Sequence, residues 1–557
     1  MCGILFSSFK DENFKEALIL QSHRGPDYSG IASVDGLLFG HNLLSIMGHV
    51  SESRQPFSIE DKTLVFNGAI YNYKKLRDKL KGLGHIFSTD TDTELLLRYY
   101  IEYGVNGFSD FDGMFAFLIY DASRKELVIA RDRLGQKPMY YSHSAEGIRI
   151  SSEVMPLVCL SGDKSLNELA ITDFLDYGYF LEDTTPYNGI RQFSRNTVSV
   201  FSIAPDSCRH IWSDNIYKSN ESFSLKKLRK SIANRLESDT EVGVFLSGGR
   251  DSTALLYGID EKKRISLCLT ASFNINDESD IAKETAARLD IDSVIHLMNN
   301  ESILDRIKSI EDFIDIPYGD PSFLPLCDLA EEASKRGIRV MLTGDGADEL
   351  LFGYKRYKIL YIMLFLVKIP LIGRLISTKL FQSDLYKWIN TMKQESFSTS
   401  SSAKFSSVKE YFSSEIDNYL KNNILVKSDI AGMRYGVEIR SPFLTPIFWD
   451  KDLKNIARFI RTYTSKWRIS TSLALKGDLR FLIAKKKGFT FDMRQILTEI
   501  DVKVNDCFET VRSHGIKNLN AKYLQMLQDD FNSGGNYDYR RVYRVYVLGA
   551  WLNRYTR

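Results

Sequence analysis

The sequence predicts two domains, the first rich in β-strands and the second built on a parallel sheet. Residues 1–205 contain many short apolar runs separated by turns, which is typical of a layered β-rich domain. After residue 222, predicted strands alternate with predicted helices, and this alternation favours parallel strands joined by crossover helices. The intervening stretch 206–222 is polar, so we interpret it as a linker. The second domain then spans residues 223–557.

Strands and helices are both predicted in the first domain. Its predicted strands are Gly30–Val34, Leu37–His41, Thr63–Asn67, Phe115–Tyr120, Leu127–Ala130 and Met139–Ser142. Two segments, Tyr73–Lys81 and Thr93–Glu102, repeat apolar residues at helical spacing and are predicted as helices. The short strands and interspersed helices predict sheets stacked in layers.

Two short strands of the second domain each lead into a glycine-bearing loop. Val242–Leu246 ends at a glycine pair, and Arg339–Thr343 precedes the second loop. A helix is predicted over Ile281–Leu289. The most apolar stretch, Ile359–Val367, is much shorter than the roughly 18 apolar residues that a spanning helix needs. It is therefore predicted as a buried helix or, alternatively, as a surface-seeking one.

Composition excludes several classes of protein. The chain has 557 residues, with 44% hydrophobic and 26% charged residues, which is ordinary for a soluble globular protein. The 73 basic and 71 acidic residues nearly cancel, so no nucleic-acid partner is expected. Six scattered cysteines indicate neither a disulfide framework nor a zinc site. A reducing, cytoplasmic compartment is predicted, without a signal peptide, and membrane association is not expected.

The first candidate functional residue is Cys2. Removal of the initiator methionine would leave a thiol of pKa about 8.5 on the same residue as an α-amino group of pKa about 7.7–8.0. That amine could take the thiol proton directly or through one water molecule. Considered alone, a cysteine at the second position is better explained as a small apolar residue that begins a strand.

Three further motifs could surround such a nucleophile. His23–Asp27 is a rigid turn that carries a cation and an anion. Asn67-Gly68 ends a predicted strand, where an amide side chain and a glycine N–H could form an oxyanion hole, although Asn-Gly is also typical of a plain turn. Residues Asp90–Glu94 cap a predicted helix and leave Asp92 able to accept an ammonium group.

Together these motifs resemble the glutaminase domain of the N-terminal-nucleophile glutamine amidotransferases. The matching segments are Met1–Ile4, His23–Gly30, Asn67–Asn72, Thr91–Glu94, Asp112–Phe117, Arg131–Tyr140 and Ser152-Glu153. The resemblance implies an α/β/β/α, Ntn-hydrolase-like domain in which Cys2 attacks the side-chain amide of glutamine. It also implies that Asn67 and Gly68 hold the oxyanion. Asp92 would bind the substrate amine, with Ala69 in the same glutamine-binding pocket.

The second constellation, Ser247–Thr253, lies between a predicted strand and a helix. Its glycines would let backbone N–H groups approach a phosphate, and the helix N-terminus favours negative charge. Asp251 could bind Mg²⁺, which prefers carboxylate and phosphate oxygens. The segment lacks the lysine of a Walker A loop, and its glycine pair alone would favour a simple strand–turn–helix connection.

This loop resembles the pyrophosphate loop of the ATP pyrophosphatases, which are adenylating synthetases. The second glycine loop, Thr343–Glu349, is expected beside it at a switch point of the sheet. Asp251 and Asp348 would then form a pair suited to Mg²⁺, although Asp348 could instead cap a helix. The implied ATP-binding residues are Phe245, Ser247, Gly248, Gly249, Asp251, Ser252, Thr253, Thr343 and Gly344.

Both halves in this order resemble the glutamine-hydrolysing asparagine synthetase family across nearly the whole chain. Further matching segments are Asp320–Ser322, Leu350–Tyr354, Asp429–Phe443 and Ala484–Phe489. The resemblance implies a ligase that adenylates an acceptor acid with ATP and Mg²⁺ and displaces AMP with ammonia from glutamine. Aspartate is the expected acceptor, beside Asp345 and Lys486, and a homodimer is one possible assembly. Lys486 would steady the adenylate and pyrophosphate, or belong to a solvated basic run.

Three positions and one insertion depart from the family pattern. Leu43 occupies the position of an arginine that binds the glutamine α-carboxylate, so weak glutamine binding is predicted unless another cation, with Arg54 as the candidate, substitutes. Ala69 replaces a frequent glutamate, and Asp345 is one methylene shorter than the usual glutamate. The insertion at 359–407 could reshape the acceptor pocket.

These departures leave alternatives open. The acceptor could be another acid, such as a sugar acid of a surface polysaccharide. Intramolecular amide formation, as in β-lactam-forming relatives, is disfavoured by Cys2 because those relatives often lack the nucleophile. A regulatory protein with a degenerate glutaminase site is disfavoured by the intact loops around Asp251 and Asp348.

Overall fold

The computed structural model describes most of the chain. The described residues are 2–144, 147–181, 183–204, 207–217, 225–273, 278–308, 314–351, 353, 397, 415–445, 491–535 and 537–555. The apolar segment Ile359–Val367, Lys486 and all of the insertion at 359–407 except Phe397 lie outside these residues.

Within the described residues, the strands form three sheets. The first domain contains β1 (Cys2–Ser7), β2 (Tyr28–Val34), β3 (Leu37–Leu43), β4 (Phe57–Ile59), β5 (Lys62–Ile70), β6 (Gly113–Asp121), β7 (Glu126–Arg131), β8 (Tyr140–Ser144), β9 (Gly147–Ser151), β10 (Ile190–Gln192), β11 (Thr197–Ala204) and β12 (Ser207–Asn215). The second contains β13 (Val242–Phe245), β14 (Ile265–Ser272), β15 (Ser293–Leu297), β16 (Val340–Leu342) and β17 (Glu438–Arg440).

Helices cover the sheets of both domains. In the first domain the α-helices are Phe14–Leu20, Tyr73–Gly82, Asp92–Tyr103, Val154–Ser161 and Glu168–Tyr177. In the second they are Leu225–Arg235, Arg250–Gly258, Ser279–Arg288, Asn300–Lys308, Phe323–Lys335, Ala347–Leu350, Leu425–Arg434, Met493–Glu499, Asp501–Ser513, Ala521–Asn532 and Tyr539–Tyr555. A π-helix, Glu415–Ile424, leads directly into the helix that begins at Leu425.

The first domain has the predicted α/β/β/α layering. Its two six-stranded antiparallel sheets have the orders β10-β8-β9-β1-β3-β2 and β12-β11-β7-β6-β5-β4. Because side chains alternate along a strand, Ile4 and Phe6 of β1 pack into the core between the sheets, where they meet Val65 of β5. Leu5 faces the opposite way, against Leu18 of an outer helix. Each sheet therefore buries one face against the other sheet and one against helices.

The predicted linker at 206–222 is wrong for its first half. Residues Ser207–Asn215 form β12, which pairs antiparallel with β11 at the edge of the second sheet. Most of its side chains are exposed, so the strand carries few apolar residues and its composition is that of a linker. The first domain therefore extends to at least Asn215.

The second domain contains the predicted parallel sheet. Its order is β15-β14-β13-β16-β17, and every neighbouring pair is parallel. The chain moves outward from β13 to β15 and then returns to the other side of β13 with β16. The loops that follow β13 and β16 consequently lie side by side at the switch point, where α/β sheets characteristically bind ligands.

Apolar packing is continuous across the domain boundary. One buried cluster joins Tyr140 and Ile171 of the first domain to Trp551 of the last helix. A second cluster joins Tyr71 of the first domain to Leu342 at the end of β16. The two domains thus share their cores, and the ends of β1 and β16 are held in a fixed relation.

Candidate active sites

Cys2 begins β1 and is buried, with 5% of its surface exposed. Its backbone nitrogen, which becomes the α-amino group once the initiator methionine is removed, donates to Asn67 Oδ1 at 3.0 Å. Burial raises the pKa of the Cys2 thiol, and the nearby carboxylates of Glu438 and Asp92 raise it further. The thiol is therefore neutral at rest, and attack on a substrate requires a base such as the adjacent amine.

Gly68 lies inside a strand rather than at its end. The strand β5 continues to Ile70 because its pairing with β6 continues, with Gly68 opposite Phe115. A Cβ at position 68 would lie only 2.1 Å from the carbonyl oxygen of Met114, so a side chain cannot be accommodated there. The predicted strand end at Asn67-Gly68 is thus wrong, since sheet pairing overrides the turn tendency of these two residues.

Asp92 is the first residue of the helix Asp92–Tyr103. The preceding Thr91 caps this helix, its side chain accepting the backbone N–H of Glu94 at 3.3 Å. One carboxylate oxygen of Asp92 accepts the backbone N–H of Ile70 at 3.0 Å, which fixes its position. Burial raises the pKa of Asp92 to about 6, so the carboxylate is mostly ionised at neutral pH and can accept an ammonium group.

One pocket brings together most residues of the predicted glutaminase site. Cys2, Leu43, Gly68, Ala69 and Asp92 all line it. Asn67 is held beside it through its bond to the nitrogen of Cys2.

The pocket also contains two residues that the sequence analysis did not assign to a site, Glu438 and Arg440 of β17. They belong to the segment Asp429–Phe443, which was matched as a motif without a role. Charged and apolar residues alternate in Glu438-Ile439-Arg440, which indicates a strand but does not place it at the pocket. Arg54, the predicted substitute cation, is exposed, and its guanidinium lies over the Tyr28 ring at 4.8 Å. Arg54 does not line the pocket, so that prediction is wrong.

The loop after β13 has the geometry of a phosphate cradle. Gly248 has a φ of 67°, and a Cβ there would lie 2.4 Å from the carbonyl oxygen of Glu278. The Gly249 N–H donates to Ser247 Oγ at 3.3 Å, and the helix Arg250–Gly258 starts directly afterwards. Backbone N–H groups at this helix start would favour a bound anion.

The two glycine loops are in contact. A Cβ on Gly344 would lie 3.2 Å from both the Cβ of Asp251 and the backbone nitrogen of Ser252. Thr253 follows in the first turn of the helix and Phe245 ends β13, so the predicted ATP-binding residues converge from both loops.

Asp345 and Asp348 occupy different positions in the second loop. Ser428 Oγ donates to Asp345 Oδ2 at 2.8 Å. Asp348 lies in the first turn of the helix Ala347–Leu350 and is 8% exposed; Gly346 is the cap residue, which removes the capping explanation for Asp348.

No group of three or more His, Cys, Asp or Glu side chains that could hold a metal ion occurs in the described part of the chain. Asp251 and Asp348 lie on contacting loops, and each carries carboxylate oxygens of the hard kind that Mg²⁺ prefers. This small donor set fits Mg²⁺, which keeps several waters and takes further ligands from substrate phosphates.

Comparison with known families separates the chain into the same two halves. Residues 1–212 match the model of the glutamine amidotransferase domain, and residues 225–496 match that of asparagine synthase. The chain belongs to the glutamine-hydrolysing asparagine synthetase family. As a member it is a carbon–nitrogen ligase with glutamine as the amide donor.

Two asparagine synthetases align with the chain over nearly the full length, and a third relative aligns over about three fifths. The chain is 28% identical to asparagine synthetase (glutamine-hydrolysing) 1 of Bacillus subtilis strain 168, over 97% of this chain and 93% of the relative. It is also 28% identical to a putative asparagine synthetase of Mycobacterium bovis, over 96% and 92% of the two chains. A protein named amidase chyE from Penicillium rubens is 26% identical over 62% of this chain and 56% of its own.

In this family member, buried ion pairs connect the two sites. Arg24, 1% exposed, donates through Nε to the carbonyl oxygen of Cys2 at 3.3 Å and through Nη2 to Asp429 Oδ2 at 2.8 Å. Lys137 Nζ lies 3.3 Å from the other oxygen of Asp429. The neighbouring Ser428 holds Asp345, so one helix contacts both halves of the machinery.

Strand β17 lies between the two sites. Its residues Glu438 and Arg440 line the pocket of Cys2. Ile439 faces a neighbouring small pocket that it shares with Thr343 and Asp345. Of the helices in the described ranges, none has the length and apolarity to cross a membrane.

Glutamine binding is expected to weaken as the pH falls through 6. Below this value Asp92 is neutral and no longer attracts an ammonium group, so the KM for glutamine should rise about tenfold at pH 5 relative to pH 7.5. Steady-state glutaminase assays between pH 5 and 7.5 would measure this change. Asp92→Asn should raise the KM at all pH values and remove its pH dependence; a flat KM in the native enzyme would contradict the assignment.

Proposed function

We propose that the enzyme transfers the amide nitrogen of glutamine to the side-chain carboxylate of aspartate, producing asparagine. The contacting loops around Asp251 and Asp345, tied through Ser428 and Asp429 to the carbonyl of Cys2, support the coupling in this proposal, and the likeness to asparagine synthetases supports aspartate as the acceptor. They support two coupled reactions in one chain, since the same helix contacts both residue sets.

In the first reaction, the neutral Cys2 thiol gives its proton to the α-amino group, and the sulfur attacks the side-chain carbonyl of glutamine. Asn67 and the Gly68 N–H stabilise the oxyanion, while Asp92 binds the substrate ammonium. The leaving nitrogen takes a proton and departs as ammonia, and water hydrolyses the remaining thioester to glutamate. Because Cys2 is buried, bulk water has limited access to the site of these reaction steps.

In the second reaction, an oxygen of the acceptor carboxylate attacks the α-phosphorus of ATP, and pyrophosphate leaves. Ammonia then attacks the acyl carbon, and AMP leaves with the bonding electrons. The N–H groups after Ser247 would bind the pyrophosphate. Asp251 and Asp348 would hold Mg²⁺, which neutralises phosphate charge when bound. Asp345 would lie beside the acceptor, and Lys486, outside the described residues, stays a prediction.

Ammonia must pass β17 to reach the second site. The pockets on its two faces, one at Cys2 and one at Asp345, are the ends of the expected internal passage. A passage inside the shared core would keep ammonia from being protonated in solvent.

The acceptor is tested with purified enzyme, ATP, Mg²⁺ and ammonia. Pyrophosphate release should be faster with aspartate than with glutamate or a uronic acid by about two orders of magnitude in kcat/KM, because a buried site charge left unpaired by the wrong acid is costly. Equal release without any acid would show uncoupled ATP hydrolysis. A higher kcat/KM for a uronic acid or a nucleotide-linked sugar acid would make aspartate wrong while leaving the amide-ligase mechanism intact.

A further inference from the structure

The glutaminase pocket has a wall from the other domain. The strand β17, which belongs to the synthetase sheet, places Arg440 in the pocket that contains Cys2 and Asp92. Arg440 is completely buried, with an exposed fraction of 0%. A buried guanidinium at a substrate pocket needs an explanation, because its charge and all five of its N–H donors require partners.

Three of the five donors of Arg440 are used within the protein. Its Nε donates to the carboxylate of Glu438. Its Nη1 donates to the backbone carbonyls of Arg235 at 2.8 Å and of Glu237 at 2.6 Å. The Nη2 atom, with the remaining two donors, has no hydrogen-bond partner among the described residues. Leaving a charged donor unpaired in the interior is unfavourable, so Nη2 keeps the capacity to bind an acceptor, and its side chain lines the pocket.

The charges of the pocket match those of a free amino acid. Asp92 is an anion on one side, and Arg440, which is bonded to the Glu438 carboxylate in the same pocket, is the one lysine or arginine among the described residues that line it. Leu43 leaves its own side of the pocket apolar. A zwitterion whose ammonium and carboxylate groups are attached to the same carbon would pair both of its charges here.

We propose that Arg440 binds the α-carboxylate of glutamine, so that the synthetase domain completes the glutaminase site. The inference rests on the proposed glutaminase reaction at Cys2 and adds a specificity residue to it. The guanidinium is held rigidly, because its Cζ also lies 5.1 Å from the centre of the Tyr71 ring. A fixed guanidinium is preorganised to recognise a carboxylate, with Leu43 in contact with the hydrophobic part of the substrate.

The test compares L-glutamine with L-glutamine α-amide, which lacks the carboxylate charge. The native enzyme should prefer glutamine by about 10–150-fold in kcat/KM for hydrolysis, the range of a hydrogen bond to a charged group. Arg440→Gln should lose this preference by lowering kcat/KM for glutamine while leaving that for the α-amide nearly unchanged. If Arg440 had a merely structural role, its replacement would lower kcat/KM for glutamine and for the α-amide together.

Arg235→Gln is the matched control. Arg235 is also buried and stacks on Tyr71, with its Cζ 4.6 Å from the ring centre, but it does not line the pocket. The Arg235→Gln enzyme should therefore keep the native preference for glutamine over the α-amide. Adding Leu43→Arg to Arg440→Gln should restore much of the preference, because it provides a cation from the other wall of the same pocket.

Several outcomes would overturn the inference. The inference is wrong if the native enzyme hydrolyses glutamine and the α-amide with equal kcat/KM. It is also wrong if the preference for glutamine is unchanged in Arg440→Gln. If Arg440→Gln fails to fold, Leu43→Arg in the otherwise native enzyme tests the proposal instead. A gain of tenfold or more in glutamine affinity would show that no cation of the native pocket binds the α-carboxylate. Absence of any glutamine hydrolysis in the native enzyme would instead remove the proposed function itself.

Discussion

Replacing Cys2 by alanine is expected to abolish glutamine-dependent synthesis, by about 10³-fold or more, while ammonia-dependent synthesis continues near the native rate. In the proposed first reaction the thiol is the nucleophile, so its removal takes away the attacking atom. The second reaction would use the loops after β13 and β16, and no described residue of these loops lines the pocket of Cys2. Product formation with each nitrogen source would be measured side by side.

Cys2→Ser provides the conservative control for this experiment. Serine keeps the size and hydrogen bonding of the side chain, so a folded Cys2→Ser enzyme should retain ammonia-dependent turnover and lose most glutaminase activity. Thermal melting would verify that each variant is folded. If ammonia-supported turnover falls together with glutaminase activity in folded variants, the two reactions are not separable and Cys2 has a different role.

Asp251→Asn and Asp348→Asn are each expected to lower pyrophosphate formation by about 10²–10³-fold at saturating ammonia. Each change removes one negative charge from the pair that would hold Mg²⁺ against the phosphates, while the side-chain volume is nearly conserved. The measurement is Mg²⁺-dependent pyrophosphate release with acceptor present. Raising the Mg²⁺ concentration should recover part of the lost rate.

Asp260→Asn is the matched control for both variants. Asp260 is exposed and follows the helix Arg250–Gly258 at its far end, away from the glycine loops. It should leave pyrophosphate release unchanged, and glutamine hydrolysis at Cys2 should survive in all three variants. Normal pyrophosphate release in both Asp251→Asn and Asp348→Asn would exclude these residues from the metal site.

Local patterns in the sequence predicted much of this architecture. Glycine loops after Val242–Leu246 and Arg339–Thr343 are recognisable because close backbone approach demands glycine, and the switch point then follows from the alternation of strands and helices. The strand β12 was missed because an exposed edge strand has the composition of a linker. Asn67-Gly68 was assigned to a strand end because local turn tendency says nothing about the pairing of β5 with β6.

The role of β17 in the glutaminase pocket could not be predicted from the sequence. Glu438 and Arg440 lie far along the chain from Cys2 and reach it only through the packing of two domains. Arg54, close to Leu43 in sequence, was the natural candidate on proximity alone, yet its side chain is at the surface. Contacts between domains depend on tertiary packing, which a single sequence does not display.

The ion pairs of Asp429 restrict how such enzymes can exchange parts. A chimera that joins the glutaminase half of one relative to the synthetase half of another would separate Asp429 from Arg24 and Lys137. If the incoming half lacked either cation, the carboxylate would be left incompletely paired in the interior, and breaking a buried pair costs about 3–5 kcal/mol. The two domains are therefore expected to evolve together, because a substitution at one of these charges limits which residues are tolerated at its partners in the other domain.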